Sequence, residues 1–243
     1  LTLEINNNIA HIKLNRPQDF NAMSLDFWQE FPTVIQGIND EFAARVIVIS
    51  STGKHFCAGM DLAVFTETKV DENIELGRKN EQLRRSVLQL QACFNLLENV
   101  RMPVLMAIQG GCIGGAVDMI SAADCRYCTR DAFFSIEETK LAMTADLGTL
   151  QRLPKLISMG LVKELAYTGR RMPAEEAMKA GLVNNVYDCQ ESMLSGVMAI
   201  AAEIAARSPL AVNGCKEMIN YARDHSVADS LNYMAVWQSG MFQ

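Results

Sequence analysis

Two glycine-bearing segments are the first parts of this sequence whose residue types and spacing could do chemistry. They are HFCAGMDL at residues 55–62 and GGCIGGAVD at residues 110–118. Small residues let backbone N–H groups come close to a ligand oxygen. If the second segment opens a helix, its first amides are unpaired and carry partial positive charge. Two such donors aimed at one point would form an oxyanion hole, which stabilises negative charge developing on an oxygen atom.

The same glycines have a purely structural interpretation, because glycine also permits tight turns and close helix packing. From the glycines alone this interpretation is the stronger of the two. Neither segment has the spacing of a G-x-G-x-x-G fingerprint or a P-loop, so the sequence gives no argument for nucleotide phosphate chemistry.

Three acidic residues add a possible source of proton transfer. Asp118 lies one or two turns into the candidate helix, and Glu138 and Asp146 follow it along the chain. A carboxylate in apolar surroundings has a raised pKa, which moves it toward the range useful for general acid–base catalysis. Any one of these acids could instead cap a helix, and Asp146 is suitably placed to cap one that begins near Thr149. Spacing alone leaves open whether the three converge.

Both glycine segments follow runs that predict buried strands, Arg45–Ser50 and Val104–Ile108. Upstream, a hairpin is predicted from Leu1–Ile5 and Ile9–Leu14, which are joined by three asparagines. Ser24 is a candidate N-cap for a helix whose apolar residues recur at helical spacing. This alternation of strand and helix signals predicts an α/β fold.

Long helices are also predicted, and after about residue 148 helix signals dominate the chain. Apolar residues recur every three or four positions from Leu83 to Leu97, which predicts a long amphipathic helix ending before Pro103. Three further helices are predicted at Met193–Arg207, Pro209–Arg223 and His225–Gln238. We expect one domain over residues 1–243, with a core over about 1–190 and C-terminal helices for assembly over about 191–243.

Composition excludes several classes of protein. The net charge of −6 disfavours a nucleic-acid partner, because duplex binding needs a basic face. No apolar run approaches the roughly 18–20 residues that span a bilayer. The seven cysteines are odd in number and scattered, which indicates free thiols in a reducing compartment. Cys125 and Cys128 form a lone C-x-x-C, which we interpret as strand packing rather than a metal or redox site.

Both glycine segments resemble the two oxyanion-hole segments of the enoyl-CoA hydratase/isomerase (crotonase) superfamily. The stretch from Gly110 to Leu156 is similar to one branch, the Δ3,5-Δ2,4-dienoyl-CoA isomerases, as is RDHSVADSLNY at residues 223–233. The resemblance covers nearly the whole chain and is weakest over Ala63–Asn99, which would form much of the acyl pocket. It implies a spiral of ββα units with C-terminal helices, assembled as trimers and often hexamers.

The resemblance also implies site residues. The N–H groups of Met60 and Gly115 would hold a thioester carbonyl oxygen, although smaller residues are common in the superfamily where Met60 stands. The residues expected to line the substrate and CoA site are Cys57, Ala58, Gly59, Met60, Asp61 and Gly115.

Each of the three acids matches a position of the family. Glu138 matches an acid shared with the hydratases, near C2 of the acyl chain. Asp118 stands where the hydratases have a second glutamate and is one methylene shorter, and Asp146 matches a carboxylate that dienoyl isomerases have and hydratases lack. The resemblance implies isomerisation of 3,5-dienoyl-CoA to 2,4-dienoyl-CoA in fatty-acid β-oxidation. We expect Glu138 to remove the C2 proton and Asp146 to protonate C6, with swapped roles left open.

The expected partners follow from this chemistry. An acyl-CoA thioester is the substrate, CoA enters as part of it, and no metal, redox cofactor or nucleic acid is expected. The expected location is mitochondrial or peroxisomal, with targeting ends missing from this sequence, which begins at Leu1.

Two alternatives remain at this point. A 2-enoyl-CoA hydratase would use Asp118 and Glu138 to activate water, with Asp146 as an incidental cap. A non-catalytic crotonase-fold binding protein, including an RNA-binding one, would need a basic surface that the acidic charge balance disfavours.

Overall fold

The computed structural model describes residues 1–64 and 74–241. Its nine strands within those residues are β1 (Thr2–Asn6), β2 (Ile9–Leu14), β3 (Val46–Ser51), β4 (Val104–Ile108), β5 (Gly111–Ile113), β6 (Cys125–Thr129), β7 (Phe133–Ser135), β8 (Met172–Pro173) and β9 (Asn185–Tyr187). The α-helices are α1 (Leu25–Asp40), α2 (Leu76–Asn99), α3 (Gly115–Ser121), α4 (Thr149–Arg152), α5 (Met159–Thr168), α6 (Ala174–Ala180), α7 (Gln190–Ala205), α8 (Pro209–Asp224) and α9 (Val227–Met241). Short 3₁₀ helices cover Pro17–Asp19, Glu138–Leu141 and Leu153–Lys155.

Six strands form the main sheet, in the order β1-β2-β3-β4-β6-β9. The hairpin strands β1 and β2 are antiparallel, and every later neighbour is parallel. All residues of β3 and β4 are buried, as expected for central strands covered on both faces. Asn7 and Asn8 turn the hairpin with φ values of 52° and 62°, the left-handed conformation that asparagine tolerates well. The predicted hairpin and both predicted buried strands are confirmed.

A second, small sheet lies beside the main one and carries the site-forming segments. Its order is β5-β7-β8, with β5 and β7 parallel and β7 and β8 antiparallel. The chain passes from β4 of the main sheet into β5 within a few residues. An isolated parallel bridge between Cys57 and Cys112 then ties the loop after β3 to β5. The two glycine segments are therefore hydrogen-bonded neighbours, although residues 63–109 separate them in sequence.

Helix α1 begins where its cap predicts. The Ser24 hydroxyl accepts a hydrogen bond from the Phe27 amide at 3.4 Å. The buried face consists of Phe27, Phe31, Ile35 and Ile38. Trp28, which the apolar spacing also suggested, is only half-buried.

Helix α2 covers the predicted stripe and extends it by two turns at its N-terminal end. Only the C-terminal part of the stripe is covered, because Phe94 and Leu97 are fully buried whereas Leu83 is exposed. This C-terminal part packs against α1, and its Gln91 bonds to the backbone of Asp146.

The C-terminal helices differ in how they are attached. Helix α7 packs on the main sheet and belongs to the core: Met193, Val197 and Ala201 are fully buried against residues such as Val48. Helix α8 is held through Lys216, which is 7% exposed. Helix α9 has no buried residue.

The Lys216 ammonium is fully engaged. It donates to the carbonyl oxygens of Leu97 at 2.7 Å and Met102 at 3.1 Å, and it pairs with the Asp124 carboxylate at 2.9 Å. A buried charge is tolerated only with such partners, so this contact fixes α8 at one position on the core.

The predicted C-x-x-C lies in strand β6, as interpreted from the sequence, and all seven cysteines are free. Across the described residues, no single helix has both the length and the apolarity to cross a bilayer. Helices α7 and α8 meet these criteria only as a pair bent by 107°, by length and composition alone.

Candidate active site

The loop after β3 is fixed by backbone hydrogen bonds on both sides. The Cys57 amide donates to the Gly111 carbonyl and the Ile113 amide donates to the Cys57 carbonyl, each at 3.1 Å. On the other side, Met23 donates to the Gly59 carbonyl at 2.8 Å and accepts from the Asp61 amide at 3.1 Å. Because successive N–H groups of extended backbone point in opposite directions, the amide of residue 60, between these two bonds, points away from Met23.

Two backbone amides are consequently left without a protein acceptor. Neither Met60 nor Gly115 donates a backbone hydrogen bond to any described residue, whereas the preceding Gly114 donates to the Ser135 carbonyl at 2.9 Å. Gly115 is the first residue of α3, where the helix itself supplies no acceptor. The two segments are in close contact, because a Cβ atom built on Gly115 would lie 3.8 Å from the Met60 nitrogen.

Gly59 is required for this contact. Its φ is +88°, a conformation that side chains rarely adopt, and a Cβ atom there would lie 2.7 Å from the Ile113 carbonyl oxygen. The glycine therefore has a specific function in bringing the two segments together, beyond allowing a turn.

Both amides border one cleft of about 820 Å³, and all three predicted acids line it as well. The cleft residues that sequence reasoning had singled out are Ala58, Gly59, Met60, Asp61, Gly115, Asp118, Glu138 and Asp146. The convergence that spacing left open is therefore present in the structure.

Cys57 differs from the other predicted residues, because its side chain does not line the cleft. It is fully buried, and its sulfur accepts a hydrogen bond from the Gly59 amide at 3.4 Å. The expectation that Cys57 lines the CoA site is therefore corrected for its side chain. That side chain is buried beneath the loop, where it binds the Gly59 amide.

Asp118 is the most buried of the acids, with 1% exposure. One carboxylate oxygen accepts the Thr149 amide at 2.6 Å. Burial raises the pKa of Asp118 to about 7, the Thr149 hydrogen bond opposes this, and the nearby Glu138 and Asp146 charges add to it.

This hydrogen bond also corrects the alternative interpretation of Asp146 as a helix cap. Helix α4 begins at Thr149, and the residue in the cap position is Gly148, which has no side chain to offer. Asp118, thirty-one residues upstream, supplies the acceptor instead. Asp146 is therefore free of a capping role.

Glu138 is half-buried and begins a short 3₁₀ helix. Its Oε2 atom is buried without a hydrogen-bond partner among the described residues, and its Oε1 lies 3.4 Å from where a Cβ on Gly114 would be. Burial raises the pKa of Glu138, and the Asp146 charge adds to the rise. A buried carboxylate oxygen without a partner is uncommon, and it marks Glu138 as a candidate functional group of the cleft.

Asp146 lies between the buried residues Ala145 and Leu147 but is itself exposed toward the cleft. Partial burial raises the pKa of its carboxyl. The acid is thus at the open part of the cleft, in less apolar surroundings than its sequence neighbours suggested.

An apolar wall completes the cleft, and sequence reasoning missed it. Phe20, Leu62, Leu141 and Met143 are all exposed and all line the cleft. They come from three separate segments of the chain, so no periodic pattern could have grouped them. Exposed apolar side chains gathered in a cleft are typical of a site for an apolar ligand.

The segment Ala63–Asn99 is expected to form much of the acyl pocket. Its residues 65–73 lie outside the described residues. Within residues 1–64 and 74–241, no three His, Cys, Asp or Glu side chains are arranged to hold a metal ion.

The raised pKa of Asp118 predicts how stability depends on pH. Between about pH 4 and 7 the folded state keeps a proton that the unfolded chain has lost, so the free energy of unfolding falls as pH rises through this window. The shift from 3.8 to about 7 corresponds to about 4 kcal/mol. Asp118→Asn keeps the acceptor for Thr149 and removes the charge. We expect it to raise Tm by roughly 5 °C or more near pH 8 and to bring no such gain near pH 4.

The measurement is thermal unfolding of wild type and variant across this pH range, with the exposed Asp131→Asn as control. An Asp118→Asn effect that is equal at both pH values would contradict the burial of a titrating carboxyl.

Comparisons with known proteins identify the family of this chain. The sequence profile of the family described as Enoyl-CoA hydratase/isomerase matches residues 4–241. A peroxisomal Delta(3,5)-Delta(2,4)-dienoyl-CoA isomerase of Arabidopsis thaliana is 44% identical over 247 aligned positions, which cover 99% of this chain and 89% of that protein. A human mitochondrial protein of the same name is 44% identical over 237 positions, with 97% and 72% coverage.

Solved structures agree in fold. The crystal structure of an enoyl-CoA hydratase from Bacillus anthracis has a TM-score of 0.88 at 32% identity and covers 98% of this chain and 89% of that one. A structure from Thermobifida fusca, provisionally assigned as an enoyl-CoA hydratase and solved with acetoacetyl-CoA, has a TM-score of 0.89 at 26% identity, with 99% and 94% coverage. The crotonase-like α/β fold predicted from the sequence is confirmed, and the chain belongs to the enoyl-CoA hydratase/isomerase family.

Proposed function

We propose that this chain is a Δ3,5-Δ2,4-dienoyl-CoA isomerase of fatty-acid β-oxidation, acting on an acyl-CoA thioester. The observation that carries the proposal is a third carboxylate, Asp146, in the same cleft as Glu138 and the two amides that have no acceptor among the described residues. The names of the relatives that are 44% identical over nearly the whole chain support it.

Isomerisation of a 3,5-dienoyl-CoA requires removal of a proton from C2 and addition of a proton at C6. Removal of the C2 proton leaves an electron pair that forms the C2–C3 double bond. The C3–C4 double bond shifts to C4–C5, and the electrons of the C5–C6 double bond take up a proton at C6. One proton leaves and one arrives, and no electron is exchanged with a partner. The proposed mechanism therefore uses no redox cofactor or metal, and CoA enters only as part of the substrate.

The free amides of Met60 and Gly115 would stabilise the intermediate. Loss of the C2 proton places negative charge on the thioester oxygen, and preorganised N–H donors bind this charge without further reorganisation. A single donor of this kind is typically worth about 3–4 kcal/mol in the transition state.

The position of Glu138 supports its assignment to C2. Its carboxylate adjoins Gly114, and the next residue, Gly115, supplies one of the two amides. In the substrate, C2 is bonded directly to the carbonyl carbon whose oxygen these amides would hold. An acid beside the segment that supplies one of these amides could reach the C2 proton, which supports Glu138 for C2 and leaves Asp146 for C6.

The hydratase alternative is less well supported, because of Asp118. A hydratase of this family would need two carboxylates to bind and activate one water. Asp118 is nearly inaccessible, and one of its oxygens already binds the Thr149 amide. We propose that it instead tunes the other two acids through its charge and positions Thr149.

The cellular location proposed for the chain is mitochondrial or peroxisomal. The plant relative is named peroxisomal and the human relative mitochondrial.

We also propose that the chain self-associates as a trimer or hexamer through its C-terminal helices. Helix α9 buries none of its residues, and its apolar Val227, Leu231 and Val236 are each more than 60% exposed. An exposed apolar surface of this kind marks an interface.

Light scattering of the purified protein should give the mass of a trimer or hexamer of the 26.9-kDa chain. A single-chain mass at micromolar concentration would contradict this.

The activity itself is tested by incubating the purified protein with a 3,5-dienoyl-CoA. We expect 2,4-dienoyl absorbance to appear, because the conjugated thioester product absorbs where the substrate does not. A 2-enoyl-CoA is the comparison substrate. Rapid hydration of it without any dienoyl conversion would favour the hydratase alternative.

The two proton-transfer acids are tested by near-isosteric substitutions. Glu138→Gln and Asp146→Asn should each reduce kcat for isomerisation by about 10²-fold or more, the usual scale for general acid–base catalysis. The matched controls are Glu175→Gln and Asp131→Asn, which change exposed acids outside the cleft. If either cleft variant kept the full rate, the role assigned to that acid would be wrong.

A further inference from the structure

The loop that carries Asp146 is held from one side by helix α2. Gln91, Asn95 and Glu98 are spaced by four and three residues, so they share one helix face. The Gln91 side-chain amide donates to the backbone carbonyl oxygen of Asp146 at 2.6 Å. This is a direct contact between a helix side chain and the peptide unit of a candidate proton-transfer residue.

Arg152 extends the same attachment along the loop. Its guanidinium donates to the Leu147 carbonyl at 3.3 Å, and also to the Asn95 amide oxygen at 2.5 Å and the Glu98 carboxylate at 3.1 Å. The guanidinium lies where residue 148 would carry a side chain, because a Cβ atom on Gly148 would be 1.8 Å from it. The loop is therefore attached to α2 at consecutive carbonyl groups.

The opposite side of the loop is attached to α3 through the hydrogen bond from Thr149 to Asp118. Between the two attachments, the carboxylate of Asp146 has no hydrogen bond to any other residue of the described chain. Its position in the cleft is therefore set by its backbone, and Gln91 is the only described side chain that bonds to the Asp146 peptide itself.

We infer that Gln91 is a positioning residue for Asp146, which it holds at the distance from the amides that distal protonation requires. This inference rests on the proposed isomerase function. Gln91 itself does not line the cleft and does not touch the reacting atoms. Its contribution is to keep the Asp146 carboxylate within reach of C6 while the substrate is bound.

The consequence is a selective defect. Gln91 forms no hydrogen bond with Glu138 or with the amides of Met60 and Gly115, so removal of the C2 proton should survive its loss. Protonation at C6 should slow, because displacing a catalytic group by about 1 Å can cost 10²-fold in rate. Substrate affinity should change little, since Gln91 makes no contact in the cleft.

The experiment compares Gln91→Leu with Gln89→Leu, an exposed glutamine on the same helix that does not bond to the loop. Each protein is incubated in D₂O with a 3,5-dienoyl-CoA. Absorbance reports the 2,4-dienoyl product, and mass spectrometry of recovered substrate reports deuterium gained at C2. For Gln91→Leu we expect kcat to fall about ten- to a hundredfold with KM nearly unchanged. Deuterium exchange at C2 should persist, so its ratio to product formation rises. Gln89→Leu should match wild type in both.

Two results would overturn the inference while leaving the isomerase function intact. One is a Gln91→Leu variant with wild-type product formation. The other is a parallel fall of C2 exchange and product formation, which would mean general damage to the site. If wild type itself formed no 2,4-dienoyl product, the proposed function would fail and the inference with it.

Discussion

The site depends on a short piece of backbone pairing. The loop after β3 is bonded to β5 through Cys57 and to Met23 through Gly59 and Asp61. Both partners are main-chain groups in fixed positions, so the amide of residue 60 is left at the cleft without an acceptor in residues 1–64 and 74–241. An unpaired N–H group has a free-energy cost wherever water is restricted, and here that cost is accepted at two neighbouring positions. A ligand oxygen that binds both groups recovers it.

Burial and neighbouring charges together change the pKa values of the three acids that line the cleft. All three have raised pKa values, and in each the first cause is removal from water. Their degree of burial is graded, from nearly complete at Asp118 through half at Glu138 to an exposed Asp146. Groups of one chemical type thus acquire different proton affinities and different access to a ligand, which is what a reaction with a proton donor and a proton acceptor requires. Because the three influence one another, their titration belongs to the group rather than to single residues.

The sequence predicted local features of this site well and long-range contacts poorly. Ser24 as a cap and the two central strands follow from local chemistry and periodicity, and they stand as predicted. The family resemblance led to the glycine-segment residues and acids that line the cleft but not to its apolar wall. Cys57 is the one wrongly expected side chain, because a residue's neighbours in sequence do not say which way its side chain turns. The sequence could not indicate that Asp118 caps α4 or that Gln91 binds the Asp146 carbonyl. Both contacts join segments more than thirty residues apart, and neither involves a recurring pattern.

The buried ammonium of Lys216 has a bearing on the outer surface of the molecule. Its three oxygen partners come from the end of α2, the turn before β4 and the turn before β6. Moving α8 by a single turn would leave the Lys216 charge buried without these three partners. The contact therefore favours one position of α8 on the core. Helix α9 packs against α8, with the Tyr233 hydroxyl donating to the Glu217 carboxylate, so the exposed Val227, Leu231 and Val236 are placed by the same contact. If the chain self-associates through α9 as proposed, the buried charge of Lys216 therefore helps to determine where a second copy binds.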